Sequence, residues 1–267
     1  MATFEWFSLG TIAHRRWFIL AATVAALTAA EGKPALAQKT SAEATPMTTD
    51  AAAGAYDPTD QYNIETIEGW TVRLNRAFRD KEPKLCQDTL AVLRFQLYQI
   101  TRNVPDQSVA KLRQITIWVE EAEPHHPCMA YHPDASWLRE HGMNPDKARC
   151  VELANARNFL KWTHEQPWMV FHELAHGYHH QFLDRGFDNA ELRAAFERAK
   201  ESKSYENVLR ASGRRERHYA LTNPQEYFAE ASEAYFGTND FYPYVRAELR
   251  EHDPDGCDLL TRLWAVE

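Results

Sequence analysis

The 267 residues are 44% hydrophobic and 25% charged, which is an ordinary globular composition with enough apolar material for one sizeable domain or two small ones. The formal net charge of -8 makes the chain a poor general binder of nucleic acid. Composition therefore favours a folded protein and argues against nucleic acid as a partner.

The N-terminus has the pattern of an export signal. An uncharged apolar run, Trp17 to Ala30, follows the pair Arg15 and Arg16 and is shorter than the roughly 20 residues that span a bilayer. A small-x-small pattern ends at Ala37, which predicts a signal peptide over residues 1–37 and a mature protein without stable membrane insertion. We expect an extracytoplasmic location, periplasmic or secreted. An uncleaved N-terminal anchor is the alternative, and the arginine pair leaves the general and twin-arginine export routes open.

Residues 38–60 are rich in Ala, Thr, Asp and Ser and carry almost no large apolar side chain. Such a segment buries too little surface to fold, so it is predicted to be a flexible linker. Large apolar residues become frequent from Tyr62 onward, and residues 61–267 are predicted to form one domain.

Four cysteines make an even count in a chain predicted to reach an oxidising compartment. Their spacing contains no CxxC, so a zinc site made only of cysteines is not expected. We predict disulfides between Cys128 and Cys150 and between Cys86 and Cys257, one of three connectivities that four cysteines allow.

The first half of the domain contains strands and one long helix. Alternating apolar residues around Gly69 predict a strand pair with a tight turn, and leucines at helical spacing predict a helix from Pro83 to near Pro105. Residues 115–119 read as a strand. The stretch from 127 to 155 is predicted to be loop-rich, with a short helix around Trp137 and Leu138 and an edge strand at Val151, Glu152 and Leu153.

The second half is predicted to be mainly helical. A helix follows Pro167, which is expected at its first position, and a polar helix covers residues 189–200. A short strand is predicted at 205–209, another helix opens at Asn223 and Pro224, and more helices follow Asp240. The fold class is therefore α+β, with a small sheet beside two helices that carry the candidate site.

The helix after Pro167 contains His172-Glu173-Leu174-Ala175-His176, an HExxH motif. Two imidazoles at positions i and i+4 project from one helical face and can share one zinc ion. Glu173 lies about 100° round the helix from His172, where it serves as a general base and not as a ligand. Apolar neighbours bury this helix, and buried imidazoles need partners.

The third ligand must come from elsewhere, with the fourth position left to water. His179 and Phe182 stand where the longer metzincin motif has glycine and histidine, so that class is excluded. Downstream, Glu226, Glu230 and Glu233 share one face of a helix whose other side is aromatic. These carboxylates are candidate ligands, and a solvated acidic stripe is the alternative.

The motif HELAH, followed by Tyr219-Ala-Leu-Thr-Asn-Pro-Gln-Glu226-Tyr-Phe-Ala-Glu230, resembles the gluzincin-type catalytic domain of anthrax lethal factor and related secreted metallopeptidases. The resemblance covers roughly the C-terminal hundred residues and implies a zincin-like fold. It implies Glu226 as the third zinc ligand, Tyr219 as a catalytic tyrosine and Glu230 as a carboxylate that holds a zinc-bound histidine. The pair His179 and His180 departs from it; either could meet Glu230, Glu233 or solvent.

Residues 237–240, Gly-Thr-Asn-Asp, supply a competing third ligand. They are similar to the Gly-Thr-x-x-Asp segment of aspartate-type zincins, but the spacing is one residue short. Asp240 is the runner-up to Glu226.

Together these features predict a zinc metallopeptidase that acts on a peptide or protein substrate through a zinc-activated water. Glu173 would take the proton and Tyr219 would donate a hydrogen bond to the developing oxyanion. Two alternatives remain at this stage: a zincin-like binding or toxin-associated module without catalysis, and an amidase acting on cell-wall peptide. The oligomeric state is not determined by the sequence.

Overall fold

The computed structural model describes residues 56–265. The predicted signal peptide and the predicted linker as far as residue 55 lie outside this range. The last residues of the predicted linker are described, and they bond to the domain: Asp57 accepts from Asn75 at 2.7 Å and Thr59 donates to Asp146 at 2.5 Å. Among the described residues, no helix is long and apolar enough to cross a membrane.

The sheet has five strands in the order β1-β2-β3-β5-β4. The strands are β1 (Tyr62–Ile67), β2 (Trp70–Asn75), β3 (Ile117–Val119), β4 (Met129–His132) and β5 (Cys150–Leu153). β1 and β2 form the predicted antiparallel hairpin. Its turn uses Gly69 at φ +90°, where a Cβ atom would lie 2.5 Å from the side chain of Arg113, so glycine is required there.

The centre of the sheet is parallel, because β3 pairs in parallel with both β2 and β5. β4 then pairs antiparallel with β5 and forms the outer strand next to it. The predicted edge strand at 151–153 is therefore wrong in position, since it lies inside the sheet and is almost fully buried. The edge strand is β4, which lies in the stretch predicted to be loop-rich. Its residues Met-Ala-Tyr-His carry no β-branched side chain, and its pairing partner lies about 20 residues away, so local pattern does not reveal it.

Ten helices lie within the described part of the chain. They are α1 (Arg76–Lys81), α2 (Pro83–Asn103), α3 (Asp106–Leu112), α4 (Ala135–Glu140), α5 (Ala156–Trp162), α6 (Met169–Phe182), α7 (Ala190–Ser202), α8 (Pro224–Phe236), α9 (Arg246–His252) and α10 (Pro254–Leu263). The mixture of one small sheet and several helices confirms the α+β class. A separate two-stranded hairpin pairs β6 (Val208–Leu209) with β7 (Arg215–Glu216), so the strand predicted at 205–209 is present only at its last two residues.

α6 packs against α8 on one side and against β4 and β5 of the sheet on another. α6 begins at Met169, with Trp168 as its N-terminal cap, so Pro167 precedes the helix and does not occupy its first position. Gln96 of α2 accepts from the free backbone N–H of Val170 at 3.2 Å, which satisfies one of the unpaired groups at the start of α6. α8 starts as predicted, with Asn223 as cap and Pro224 at its first turn.

All four cysteines lie in the described range, and all four are free thiols. The predicted pair Cys128 and Cys150 is excluded by strand register: Cys150 lies opposite His132, whereas the carbonyl of Cys128 accepts from Ala154 at the other end of the ladder. Cys86 and Cys257 are buried separately on α2 and α10. The disulfide prediction is therefore wrong.

Candidate metal centre

Three predicted ligands converge between α6 and α8. Nε2 of His172 lies 3.0 Å from Oε2 of Glu226, and Nε2 of His176 lies 3.4 Å from the same oxygen. The two imidazole rings stand nearly perpendicular, at 84°, with centroids 4.7 Å apart. The helix spacing of the histidines aims both rings at α8, so one carboxylate oxygen meets both nitrogens.

This donor set fits zinc. Two imidazole nitrogens and one carboxylate oxygen lie within 4.8 Å of one another. Ligand atoms at 2.0–2.2 Å from a tetrahedral zinc ion lie about 3.3 Å apart, close to the two nitrogen to oxygen distances that the structure shows. Three protein ligands leave one position open, which is the arrangement of catalytic zinc sites.

The charges of the three groups are coupled. Burial lowers the pKa of His172, but its hydrogen bonds with Glu226 and Glu233 outweigh burial and raise that pKa well above the ordinary value. Burial raises the pKa of Glu226, and the nearby His176 and His172 more than reverse this, so the carboxyl pKa falls far below its usual range. Glu226 is therefore ionised at working pH, as a metal ligand must be.

The second nitrogen of His172 is held by a different carboxylate from the one predicted. Nδ1 of His172 lies 2.7 Å from Oε1 of Glu233 and 3.8 Å from Oε1 of Glu230. Oε2 of Glu230 instead accepts from Nδ2 of Asn239 at 2.8 Å. Of the two carboxylates, Glu233, about one helical turn beyond Glu230 along α8, is therefore the one within hydrogen-bond distance of Nδ1, whereas the resemblance implies Glu230.

His172, Glu230 and Glu233 also lie within 4.8 Å of one another and form a second possible donor set. Burial and mutual repulsion raise the pKa of Glu230 well above its ordinary value, and burial also raises the pKa of Glu233. A set with one imidazole and two carboxylates that resist ionisation suits zinc less well than two imidazoles and the ionised Glu226.

Asp240, the runner-up ligand, points elsewhere. Its Oδ2 lies 2.8 Å from Nη2 and 2.9 Å from Nε of Arg210, a two-point ion pair. α8 ends at Phe236, and the following chain forms an isolated bridge between Phe241 and Arg210. The course of the chain after α8 therefore places Asp240 beside Arg210. Neither of the two candidate donor sets includes Asp240.

Glu173 lies next to the candidate metal ligands and belongs to neither donor set. Its Oε2 accepts from the backbone N–H of Tyr131 in β4 at 2.9 Å. This places the carboxylate between the face of α6 that carries the candidate ligands and the edge of the sheet.

Tyr219 begins a short 3-10 turn, Tyr219–Leu221, directly before α8. His218 caps this turn by accepting from the N–H of Ala220 at 3.0 Å. Burial, followed by the negative charges of Glu226 and Glu173, raises the pKa of Tyr219 far above its ordinary value. The phenol therefore keeps its proton and remains a hydrogen-bond donor beside the candidate zinc ligands.

The two histidines whose role the sequence left open have separate environments, and neither meets Glu230 or Glu233. His179 is fully buried, packs against Phe187 and Phe228, and has no hydrogen-bond partner among the described residues. Nδ1 of His180 lies 2.8 Å from the phenol of Tyr131. Sequence reasoning missed Tyr131 because it lies in β4, which no motif marked.

No protein-family model matches the chain, and no curated protein sequence matches it. A solved structure, the PRO-PRO endopeptidase (PPEP-2) from Paenibacillus alvei, is similar at 18% identity over 66% of this chain and 90% of that chain, with a TM-score of 0.40. A likeness at this TM-score and identity is too weak to assign a fold or an activity.

Proposed function

We propose that this chain is a zinc metallopeptidase with a zincin-like, gluzincin-type active site that hydrolyses peptide bonds. The observation that carries the proposal is the convergence of His172 and His176 from α6 and Glu226 from α8 on one point. Glu173 and Tyr219 flank that point, as a base and an oxyanion donor must.

Each residue has a distinct part in this proposal. His172, His176 and Glu226 would hold the ion, and Glu233 would fix the ring of His172 through Nδ1. Bound zinc supplies Lewis-acid chemistry, because it acidifies water and polarises a carbonyl group. Glu173 takes the proton of the attacking water and returns it to the leaving amine.

Tyr219 completes the proposed site on the side of α8. Its phenol keeps its proton and donates a hydrogen bond to the oxygen on which negative charge develops. Because this bond is strongest in the transition state, it accelerates the reaction more than it tightens substrate binding.

The proposal extends to location and partner. The signal-like residues 1–37 support export, and so a periplasmic or secreted enzyme acting on a peptide or protein substrate. An acidic chain with formal charge -8 supports a partner other than nucleic acid.

The test is hydrolysis of a diverse peptide library by the zinc-loaded protein, with and without a chelator. We expect cleavage that the chelator abolishes and that zinc restores. Glu173→Gln should retain one zinc per chain and lose about 10² to 10⁴-fold in rate, since it removes the base and no ligand. The exposed Glu201→Gln on α7 is the matched control and should behave as wild type.

A catalytically silent binding module would leave every peptide intact at full zinc occupancy. An amidase would instead release fragments from cell-wall peptide and spare the library. Loss of zinc in Glu173→Gln would show that this carboxylate is a ligand.

A further inference from the structure

Tyr131 of β4 lies along one face of α6. Glu173, Gly177 and His180 stand at positions i, i+4 and i+7 of that helix, so they share a face. Tyr131 touches all three: its backbone at Glu173, its ring at Gly177 and its hydroxyl at His180. This face runs beside the one that carries the candidate zinc ligands.

Gly177 makes the close approach of the ring possible. A Cβ atom at this position would lie 3.1 Å from Cε2 of Tyr131 and 2.6 Å from Cδ1 of Ile115. Any larger side chain would force the side chain of Ile115 to move and would press on the ring of Tyr131. Tyr131 itself is 9% exposed, so its ring is packed and not free to swing out.

The phenol of Tyr131 has a complete set of partners. Nε2 of Gln181 donates to it at 3.1 Å and also donates to the carbonyl of Arg149 at 3.0 Å. The phenol oxygen also lies at hydrogen-bond distance, 2.8 Å, from Nδ1 of His180. His180 stacks on Phe187 at 4.6 Å, and burial followed by the charge of Arg149 lowers its pKa, which favours the neutral ring.

Strand register explains why the N–H of Tyr131 reaches Glu173. Cys128 bonds through its carbonyl to Ala154 of the neighbouring chain segment, and in an antiparallel ladder every second residue bonds to the partner strand. Tyr131 is therefore out of phase with those bonds, and its N–H points to the open side of the sheet. Glu173 accepts it there.

We propose that Tyr131 and His180 are positioning residues that fix the edge strand against α6 and thereby hold the carboxylate of Glu173 in its working orientation. The backbone N–H of Tyr131 fixes Oε2 of Glu173, which leaves Oε1 to exchange the proton. The hydrogen bond between the Tyr131 hydroxyl and His180 holds the strand in place, so that the backbone N–H of Tyr131 stays within hydrogen-bond distance of Glu173. The catalytic consequence rests on the proposed peptidase function, whereas the contact between strand and helix does not.

The kinetic test uses Tyr131→Phe, His180→Leu and the double variant. Each single change deletes the hydrogen bond between Tyr131 and His180 and roughly keeps the side-chain volume; Tyr131→Phe also removes the bond from Gln181, and His180→Leu replaces the ring stacked on Phe187. We expect a roughly tenfold fall in kcat with KM and zinc content unchanged. The double variant should be no slower than either single variant. His180→Asn, whose side-chain amide supplies a hydrogen-bonding group near the position of Nδ1, should restore most of kcat.

Tyr178→Phe is the matched control. Tyr178 is a buried tyrosine on α6 itself. Its hydroxyl, which the variant deletes, donates to the carbonyl of Leu263 at 3.1 Å, on the side of the helix away from Tyr131. We expect lower stability and unchanged kcat. A fall in kcat equal to that of Tyr131→Phe would show a general effect of loosening α6 and overturn the proposal.

Amide hydrogen exchange of the peptide that contains β4 supplies a readout without activity. Exchange at Tyr131 should accelerate about tenfold in Tyr131→Phe and His180→Leu and stay unchanged in Tyr178→Phe and His180→Asn. Unchanged exchange overturns the proposal even if no peptide is cleaved. If the variants exchange faster but keep the kcat of an active wild-type enzyme, the positioning role is overturned. If wild-type protein at full zinc occupancy cleaves no peptide, the peptidase function is refuted instead.

Discussion

Nδ1 of His172 lies 2.7 Å from Oε1 of Glu233, and both side chains are largely buried between α6 and α8. A carboxylate at this nitrogen favours the tautomer with its N–H on Nδ1, the form that can offer Nε2 to a metal. Glu233 is therefore placed to orient the ring of the candidate ligand His172.

Replacing Glu233 should weaken zinc binding without removing a ligand. We expect Glu233→Gln to lower zinc affinity about 10 to 100-fold, the usual cost of losing a carboxylate that supports a metal-bound histidine. Glu230→Gln is the matched comparison. Glu230 lies 3.8 Å from the same nitrogen, so its replacement should lower zinc affinity less than that of Glu233. Competition with a chromophoric zinc chelator measures both affinities. A larger loss of affinity in Glu230→Gln would support the role that the resemblance implies for Glu230.

Glu226 and Asp240 should differ sharply in their effect on metal content. Glu226→Gln removes an ionised oxygen that meets both histidines, so we expect zinc to be lost on dialysis. Asp240→Asn breaks the ion pair with Arg210, and should lower stability while one zinc per chain remains. Metal analysis of the dialysed proteins decides between them, and the reverse pattern would make Asp240 the third ligand.

Tyr219→Phe tests the oxyanion donor. Because burial and nearby carboxylates keep the phenol protonated, the loss of its hydroxyl removes one hydrogen bond made mainly in the transition state. We expect kcat to fall about 10² to 10³-fold, with little change in KM or zinc content. Steady-state kinetics beside zinc stoichiometry provides the check. If Tyr219→Phe keeps the wild-type kcat, the hydroxyl has no part in catalysis and the ring only packs. If the variant loses zinc, Tyr219 supports the structure of the metal site.

A buried charge network beneath β4 should make stability depend on pH. Glu152 bonds to His132 at 2.7 Å and to Lys147, which also lies 2.7 Å from Glu120. Burial raises the pKa of Glu152, but the hydrogen bond with His132 and the charge of Lys147 lower it to about 2 from an ordinary 4.5. The stabilisation is therefore present above pH 4.5 and is lost as pH falls toward 2.

Urea unfolding of wild type and Glu152→Gln between pH 2 and pH 6 measures this contribution. The wild type should be the more stable near pH 6, and its advantage should shrink by roughly 3 kcal/mol as the carboxylate is protonated. Glu165→Gln, a change at a glutamate in the exposed loop before α6, is the control and should leave the pH profile unchanged. An advantage that stays constant over the whole range would contradict the assigned pKa shift.

The sequence by itself determined the local features of the site. The motif His172 to His176 lies on a helix, and Asn223 and Pro224 open the helix that carries the three glutamates, as predicted. These features depend on cap residues and on spacing of 3.6 residues per turn, both of which are short-range properties. The α+β class followed for the same reason.

Only the tertiary structure decided how these elements meet. It assigned Glu233 to Nδ1 of His172, paired Asp240 with Arg210, left the cysteines free and placed Tyr131 on the edge strand against Glu173. Each of the three contacts joins residues at least 30 positions apart. The cysteines stay unpaired because strand register keeps Cys128 away from Cys150. Periodicity shows which face of an element is buried, but which atoms meet across that face depends on helix packing and register, which are set by the whole chain together.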